Sequence, residues 1–262
     1  MIPQPILPIL APMLRYHVTS PHVLLWRTVE LAVMSGLAAR YDLPWRQRVD
    51  LDVGCGNGVL GHALIREVGV GFDLHRPSVR WTRSHKPAYR AVVEASATAM
   101  PFAAGSQRLV FSNSVIEHIP GRRALFDEIG RVLAPGGFLL LSTVSERFPQ
   151  FALGQERPSE AERRALDASY DHFHYFSAAS LGAELAARGV ELLASASYID
   201  ARQARRCYEL REWERRGPQG RLGQLVRLPV GLRALGEMRP LEVPEGQGAG
   251  LAIVARRLKD KG

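Results

Sequence analysis

Five apolar runs of strand length alternate with segments of helical pattern through the first half of the chain: VDLDVG at 49–54, VGVGFDL at 68–74, YRAVVEA at 89–95, RLVFSNS at 108–114 and FLLLSTV at 138–144. Strands this continuously apolar are buried on both faces, which is the condition of a parallel sheet covered by helices on either side. The intervening pattern predicts helices at 58–67, 77–85 and 121–133, the last stopped by Pro135-Gly136-Gly137. Repeated βα units of this kind wind doubly, and their ligands bind beyond the carboxyl ends of the strands. Further on, the pattern predicts a helix from Ser177 to Arg188, a strand at 190–199, a charged helix from about 201 to 216, and a last strand, GLAIVARRL, at 250–258. No internal repeat is found.

At 262 residues and 46% hydrophobic content, the chain suffices for one well-buried core, so a single domain with insertions is expected. Residues 1–48 are read as an N-terminal helical cover, because Pro21–Arg40 carries helical periodicity through Leu24, Leu25, Thr28, Leu31 and Ala32. Residues 49–144 hold the alternating core. Two stretches, 145–176 and 217–249, break the alternation. Together with the charged helix, 145–176 and 201–249 are read as substrate-side insertions or a cap, with Leu222, Leu225, Val226, Leu228, Leu232 and Leu235 as the apolar material to pack. A surface helix, a greasy substrate or contact with a membrane surface explains those leucines equally well.

The apolar opening from Ile2 to Leu14 carries Pro3, Pro5, Pro8 and Pro12, which excludes a spanning helix of about 20 residues, and it lacks the basic lead of a signal peptide. Cys55 and Cys207 show neither metal-ligand spacing nor a disulfide framework, so a reducing cytoplasm is expected. The formal charge is +8. Arg202, Arg205, Arg206, Arg211, Arg215 and Arg216 are nevertheless interleaved with Glu209, Glu212 and Glu214, which reads as a solvated helix face rather than a polyanion-binding stripe.

Chemistry concentrates in LDVGCGNGVLG at 51–61. A strand ending in Asp52 enters a turn bearing Gly54, Gly56 and Gly58, where missing side chains let backbone approach a ligand, and the turn opens a helix. About 20 residues later the second strand ends in Asp73, where an acid can accept both hydroxyls of a ribose. Glycine turn, helix and strand-end acid make one nucleoside site. Gly56-Asn57-Gly58-Val59-Leu60-Gly61 also satisfies G-x-G-x-x-G, so this turn alone does not separate a dinucleotide from another nucleoside.

The surroundings separate them. DVGCGNG at 52–58, Asp73 in GFDLH, ATAMPF at 97–102, FSNSVIEHIP at 111–120 and RVLAPGGFLLLST at 131–143, in that order, resemble the class I S-adenosylmethionine-dependent methyltransferases, a family that includes small-molecule and quinone methylating enzymes. The resemblance runs from about Val49 to Thr143 and more faintly to Val190. It implies a Rossmann-like α/β fold, with a seven-stranded mostly parallel sheet, helices on both faces and an antiparallel terminal strand. It further implies that Asp52 and the backbone at Gly54 and Gly56 face the methionine part of the cofactor and Asp73 the ribose, with Asn57 also among the cofactor-binding residues. Leu74 would then meet the adenine face, Ser96, Ala97 and Thr98 the adenine edge, and Asn113 and Ser114 would lie beneath the sulfonium. The family commonly has Asp where Ser96 stands; a hydroxyl can still accept from the adenine amino group, without charge assistance.

The implied activity is methyl transfer to an oxygen or nitrogen of a small-molecule biosynthetic intermediate, with S-adenosylhomocysteine as product. An attacking hydroxyl needs a base, whereas an amine or thiolate does not. His174, His172 and His118 are the candidates: His118 follows Glu117 in the family's recurring E-H pair, and the other two lie in YDHFHY at 170–175, near the acceptor pocket of such folds. His17, His22, His62, His75 and His85 have no comparable context. Cys55 reads as a packing residue, Trp26 as core, and Glu160, Glu162, Arg163 and Arg164 as exposed helix surface. With no metal-ligand cluster along the chain, a metal-independent enzyme is expected. The alternatives are an RNA or other macromolecule methyltransferase and a non-catalytic cofactor-binding scaffold, with an NAD-dependent oxidoreductase more distant. Nucleic acid is disfavoured as a partner because the fourth strand ends in Ser112-Asn113-Ser114-Val115 without an Asn-Pro-Pro-aromatic turn. A monomer or homodimer is expected.

Overall fold

A computed structural model describes residues 7–259 except 219, 235 and 237–240. The contacts divide the chain into two compact units: one of residues 37–143, 171–195 and 252–262, the other of 1–36, 144–170 and 196–251.

In the first unit the expected strands form close to their expected bounds. They are β1 (Arg48–Val53), β2 (Glu67–Asp73), β3 (Tyr89–Glu94), β4 (Gln107–Asn113) and β5 (Leu133–Val144), the last reaching one residue beyond the unit. β1 pairs in parallel with β2 and β4, with Leu51 opposite Val70 on one side and Val110 on the other. β3 adds to β2 and β5 to β4, all parallel. Val49, Leu51, Val53, Val110, Leu139, Leu140 and Leu141 are fully buried. Burying such side chains contributes roughly 1.5–3 kcal/mol each, which is why two-sided apolarity predicts these strands so well.

The helices are α3 (Val59–Leu64), α4 (Arg76–His85), α5 (Arg122–Val132) and α8 (Ala178–Ala186), the last opened by a capping box in which Ser177 and Ser180 bond each other's backbone N–H. α3 is shorter than the expected 58–67. Ile65 is already extended and the Arg66 N–H donates to the Arg46 carbonyl, because Glu67 must be in register with Arg48 to start β2. β5, in contrast, begins five residues before its expected start. It runs back through Pro135-Gly136-Gly137 to pair Leu133 with Gln107, and a register irregularity between Gln107 and Leu109 absorbs the glycines. The Arg257 guanidinium donates to the carbonyls of Gly130 (2.8 Å), Arg131 (3.2 Å) and Leu133 (2.7 Å), satisfying the end of α5.

The other unit contains α1 (Leu7–His17), most of α2 (Pro21–Arg40), α6 (Phe148–Leu153), α7 (Glu160–Tyr170), α9 (Ala201–Arg216) and α10 (Gly220–Ala234). Leu24, Leu25, Thr28, Leu31 and Ala32 are all buried, as the periodicity of α2 predicts. Glu30, on the same helix, is wholly buried and held by Arg27 at 2.6 Å and the Tyr198 hydroxyl at 2.8 Å. On α9 the arginines are ion-paired as read, Arg205 with Glu209 at 2.9 Å and Arg215 and Arg216 with Glu212 at 3.1 and 3.3 Å, while Ala204, Cys207 and Leu210 face inward. The α7 residues Glu160, Glu162, Arg163 and Arg164 are exposed.

In α10 the apolar side chains take the surface-helix arrangement: Leu225, Val226, Leu228 and Leu232 are exposed, Leu225 to 70%. The buried face carries Gly223 and Gly231 instead, where an added Cβ would collide with the backbone carbonyls of Pro218 and Val18, so backbone contact at the glycines turns the leucines outward. Leu235 and the side chain of Leu222 lie outside the described residues, as do Ile2, Pro3, Pro5 and the side chain of Pro8. Among the described residues no helix is long and apolar enough to cross a membrane.

The remaining strands are β6 (Val190–Tyr198), β7 (Glu242–Val243) and β8 (Gly250–Arg257), and the sheet order is β3-β2-β1-β4-β5-β8-β6-β7. The sheet is mostly parallel with antiparallel terminal strands, as expected, and among the described residues has eight strands rather than seven. The added one, β7, is two residues long and pairs antiparallel with β6 at Ser197 and Tyr198, too short to leave a period-two signal in sequence.

Candidate cofactor site at the ends of the parallel strands

Beyond the carboxyl ends of β1, β2, β3 and β4 lies a cavity of about 460 Å³. The glycine turn forms one side. Gly54 has φ +67°, and a Cβ there would stand 2.5 Å from Cγ1 of Val115, in the loop after β4, so only glycine lets the two loops meet. Gly56 has φ +53° and nothing within 4 Å of where its Cβ would be; it is open to an approaching ligand. Asn57 is exposed, its side-chain oxygen accepting the Val59 N–H at 3.2 Å at the start of α3.

Asp73 lies on the cavity wall and braces the turn. Its two carboxylate oxygens accept the Gly56 N–H at 2.9 Å and the His75 N–H at 2.8 Å. A carboxylate offers about four acceptor positions, so each oxygen keeps one for a ribose hydroxyl. Leu74, next along, is 71% exposed and lines the cavity, an apolar side chain placed where a flat ring can cover it. Ser96, Ala97 and Thr98 line it too, with the Ser96 and Thr98 hydroxyls 2.8 Å apart and the Thr98 N–H donating to Ser96. The loop they begin is locked from behind by Arg131, which donates to the carbonyls of Met100 (2.9 Å) and Phe102 (2.6 Å) and pairs with Glu128 at 2.6 Å.

At the end of β4, Ser114 is at the cavity with φ +49°, a left-handed conformation rare for a non-glycine residue and concentrated at functional sites. Asn113 is buried beside it, and its amide donates to the Ser142 hydroxyl at 2.7 Å. Asp52 is also buried away from the cavity wall, 4% exposed, and accepts the Tyr89 hydroxyl at 2.6 Å. Burial pushes its carboxyl up to about 7; the Tyr89 bond acts against that shift and the Asp73 charge with it. Burial and the same two carboxylates also push the Cys55 thiol up, which keeps it un-ionised and fits a packing role rather than a nucleophilic one.

Of the three histidines, His118 is the one at the cavity. Its Nδ1 is 3.0 Å from the Asp171 carbonyl, and since a carbonyl only accepts, that nitrogen carries a proton and Nε2 is the one turned from this bond. His172 is buried behind it, ring centroids 5.0 Å apart. His174 donates from Nε2 to the Pro120 carbonyl at 3.1 Å and anchors the loop after β4. Sequence reasoning missed Val115, Ile119, Pro120 and Gly121 on the cavity wall and Tyr89 beneath Asp52. The first four adjoin residues it did select; Tyr89 reaches Asp52 only through the pairing of three strands and leaves no signal in the chain. A larger cavity, about 810 Å³, lies at the amino ends of the strands around Arg48, Gln107 and Arg108, away from every residue of this constellation.

Residues 51–141 match the family described as the methyltransferase domain. Over 99 residues the chain is 35% identical to the malonyl-[acyl-carrier protein] O-methyltransferase of Hahella chejuensis, an overlap of 36% of each chain. It is 28% identical over 150 residues to the ubiquinone biosynthesis O-methyltransferase of Bordetella avium, covering 54% of this chain and 61% of that one. The chain thus spans less than two thirds of the length of these curated relatives. In three dimensions it is similar to a putative sarcosine dimethylglycine methyltransferase from Galdieria sulphuraria, with a TM-score of 0.59, 15% identity, and coverage of 87% of this chain and 86% of that chain. The match to the methyltransferase domain is thus confined to residues 51–141, and the chain shares the fold of class I methyltransferases.

Proposed function

We propose that this chain is an enzyme that uses S-adenosylmethionine to methylate a small-molecule biosynthetic intermediate, on oxygen or nitrogen. The cavity beyond β1, β2 and β4 carries the reading, because Gly54, Asp73 and Leu74, Ser96–Thr98, and Ser114 converge there from four separate places in the chain. The names of the two relatives, both O-methyltransferases, favour oxygen.

When bound, the cofactor supplies an electrophilic methyl group on a sulfonium, so the protein's work is to bind, align and exclude water. Asp73 accepts the ribose hydroxyls, Leu74 covers a face of the adenine, and Ser96 accepts from its amino group. Gly54, Gly56 and Asn57 border the methionine part, with Asp52 behind them. Ser114 on the cavity wall, with Asn113 buried beside it, would hold the side of the site where the sulfonium is expected. His118, on the cavity wall with its Nδ1 held by the Asp171 carbonyl, is the histidine whose neutral form could take a proton from an acceptor hydroxyl at Nε2. Residues 145–176 and 201–249 lie outside the matched domain and are assigned to acceptor recognition, and the outward Leu225, Leu228 and Leu232 suit a greasy acceptor or a membrane surface. Two free cysteines suit a cytoplasmic setting.

Calorimetric titration with S-adenosylmethionine, S-adenosylhomocysteine and NAD tests the reading. Micromolar binding of the two sulfur ligands with none of NAD supports it and leads to an acceptor screen with labelled methyl groups. Binding of NAD alone would make the chain an oxidoreductase, and binding of neither sulfur ligand ends the proposal.

A further inference from the structure

The loop after β4 and the segment before α8 bring together the adjacent side chains Glu117 and His118 and the distant His172. The ligand atoms of Glu117, His118 and His172, one from each, all lie within 4.8 Å of one another. We propose that these residues bind a divalent first-row cation such as Zn²⁺, Fe²⁺ or Co²⁺ at the edge of the cavity.

Two imidazoles and one carboxylate leave coordination positions open for water or substrate, and two nitrogen donors select against Mg²⁺ and Ca²⁺. Metal-binding histidines characteristically donate their second ring nitrogen to a carbonyl or carboxylate, and ligating carboxylates are themselves hydrogen-bonded. Both features are present. His118 donates from Nδ1 to the Asp171 carbonyl at 3.0 Å, which leaves Nε2 as its ligand atom. The Thr143 hydroxyl donates to Oε2 of Glu117 at 2.9 Å and orients a carboxylate that is only 1% exposed. The two ligand-bearing segments are joined directly, the Phe173 N–H donating to the Glu117 carbonyl at 2.8 Å, so His172 and Glu117 are held at a set separation. Metal–ligand bonds of about 2.0–2.2 Å require the three donor atoms to draw together by on the order of 1 Å, within reach of side-chain rotation. Spacing along the chain gives no sign of this site, which is why a reading of the sequence expects no metal.

His118 is part of the cavity wall, so the cation would border the space assigned to the acceptor. Its use there rests on the methyltransferase reading. With its Nε2 holding the cation, His118 would no longer serve as the base; an acceptor hydroxyl bound to the cation would give up its proton to water more readily, and the oxygen would form its bond to the methyl carbon as the sulfur–carbon bond breaks, leaving a neutral thioether.

The test is titration of chelator-stripped protein with Co²⁺, read by visible absorption, and with Zn²⁺, read by calorimetry. One equivalent of each should bind. His118→Ala, an exposed position, and His172→Ala should each weaken binding by more than about 100-fold, and Thr143→Val by about 10-fold. His85→Ala, a surface histidine stacked on Trp81, should bind as the parent does. Absence of stoichiometric binding, or binding that survives His118→Ala, overturns the proposal. Titrating S-adenosylhomocysteine into the same samples keeps the two readings apart, since metal binding without it leaves the cation site standing while the methyltransferase reading falls.

Discussion

Asp52 is a carboxyl group kept from water by its own fold, and its proton affinity shows it. With the folded value pushed up to about 7 by burial and an unfolded value near 4, the folded state holds the proton more tightly between those limits. Its contribution to stability is therefore full below about pH 4 and is lost as pH rises through about 7. Asp52→Asn removes that dependence, so urea midpoints of the variant should decline less than the parent's from pH 4 to 7 and exceed them at pH 8; parallel curves would contradict the assignment. At Gly54 the strain is steric. Gly54→Ala places a methyl at φ +67° and 2.5 Å from Val115, which should cost about 2–3 kcal/mol, and the double variant with Val115→Ala should recover part of it in the same urea measurement. Asp73→Ala removes the acceptor for two ribose hydroxyls and should weaken S-adenosylhomocysteine binding by about 2–4 kcal/mol in calorimetry. Unchanged affinity in a folded variant would move the site elsewhere. The glycines and Asp73 were legible because a turn that needs positive φ and an acid at a strand end are local requirements. The Tyr89 hydroxyl beneath Asp52, brought there by parallel pairing through β2, was not.

At the scale of elements, apolar strands and polar helix surfaces were readable, and the discrepancies occur where one element's end is set by another. α3 stops early because β2 must enter register, and β5 starts early because Gln107 of β4 supplies a partner for Leu133. α10 shows the same dependence on a neighbour. Its leucines at i, i+3 and i+7 look like a packing stripe, but glycines on the opposite face allow closer approach and win. Arg257, in the last strand, takes three carbonyls at the end of α5, a C-terminal cap made by a residue far along the chain. Arg257→Ala leaves those carbonyls without it and should cost about 1–3 kcal/mol, read as a fall in melting temperature of roughly 2–4 °C per kcal/mol.

For the molecule as a whole, the formal charge of +8 is tempered by the pairing of surface arginines with glutamates along α9 and elsewhere. Ligand binding should register in one unit by linkage. With S-adenosylhomocysteine at 100 times its Kd, hydrogen exchange should slow at 54–58, 73–75, 95–98 and 114–121, and the exposed α10 should exchange as before; uniform slowing throughout would contradict the placement of the site. The sequence by itself determined the alternation of strands and helices, the glycine turn and the acid that follows it, since two-sided apolarity and left-handed backbone are properties of short segments. Only the tertiary structure decided which of three histidines reaches the cavity, that Asp52 pairs with Tyr89, and that Glu117, His118 and His172 meet. Those outcomes depend on strand register and loop closure, which place residues distant in the chain within hydrogen-bonding reach and leave no periodic trace in the sequence.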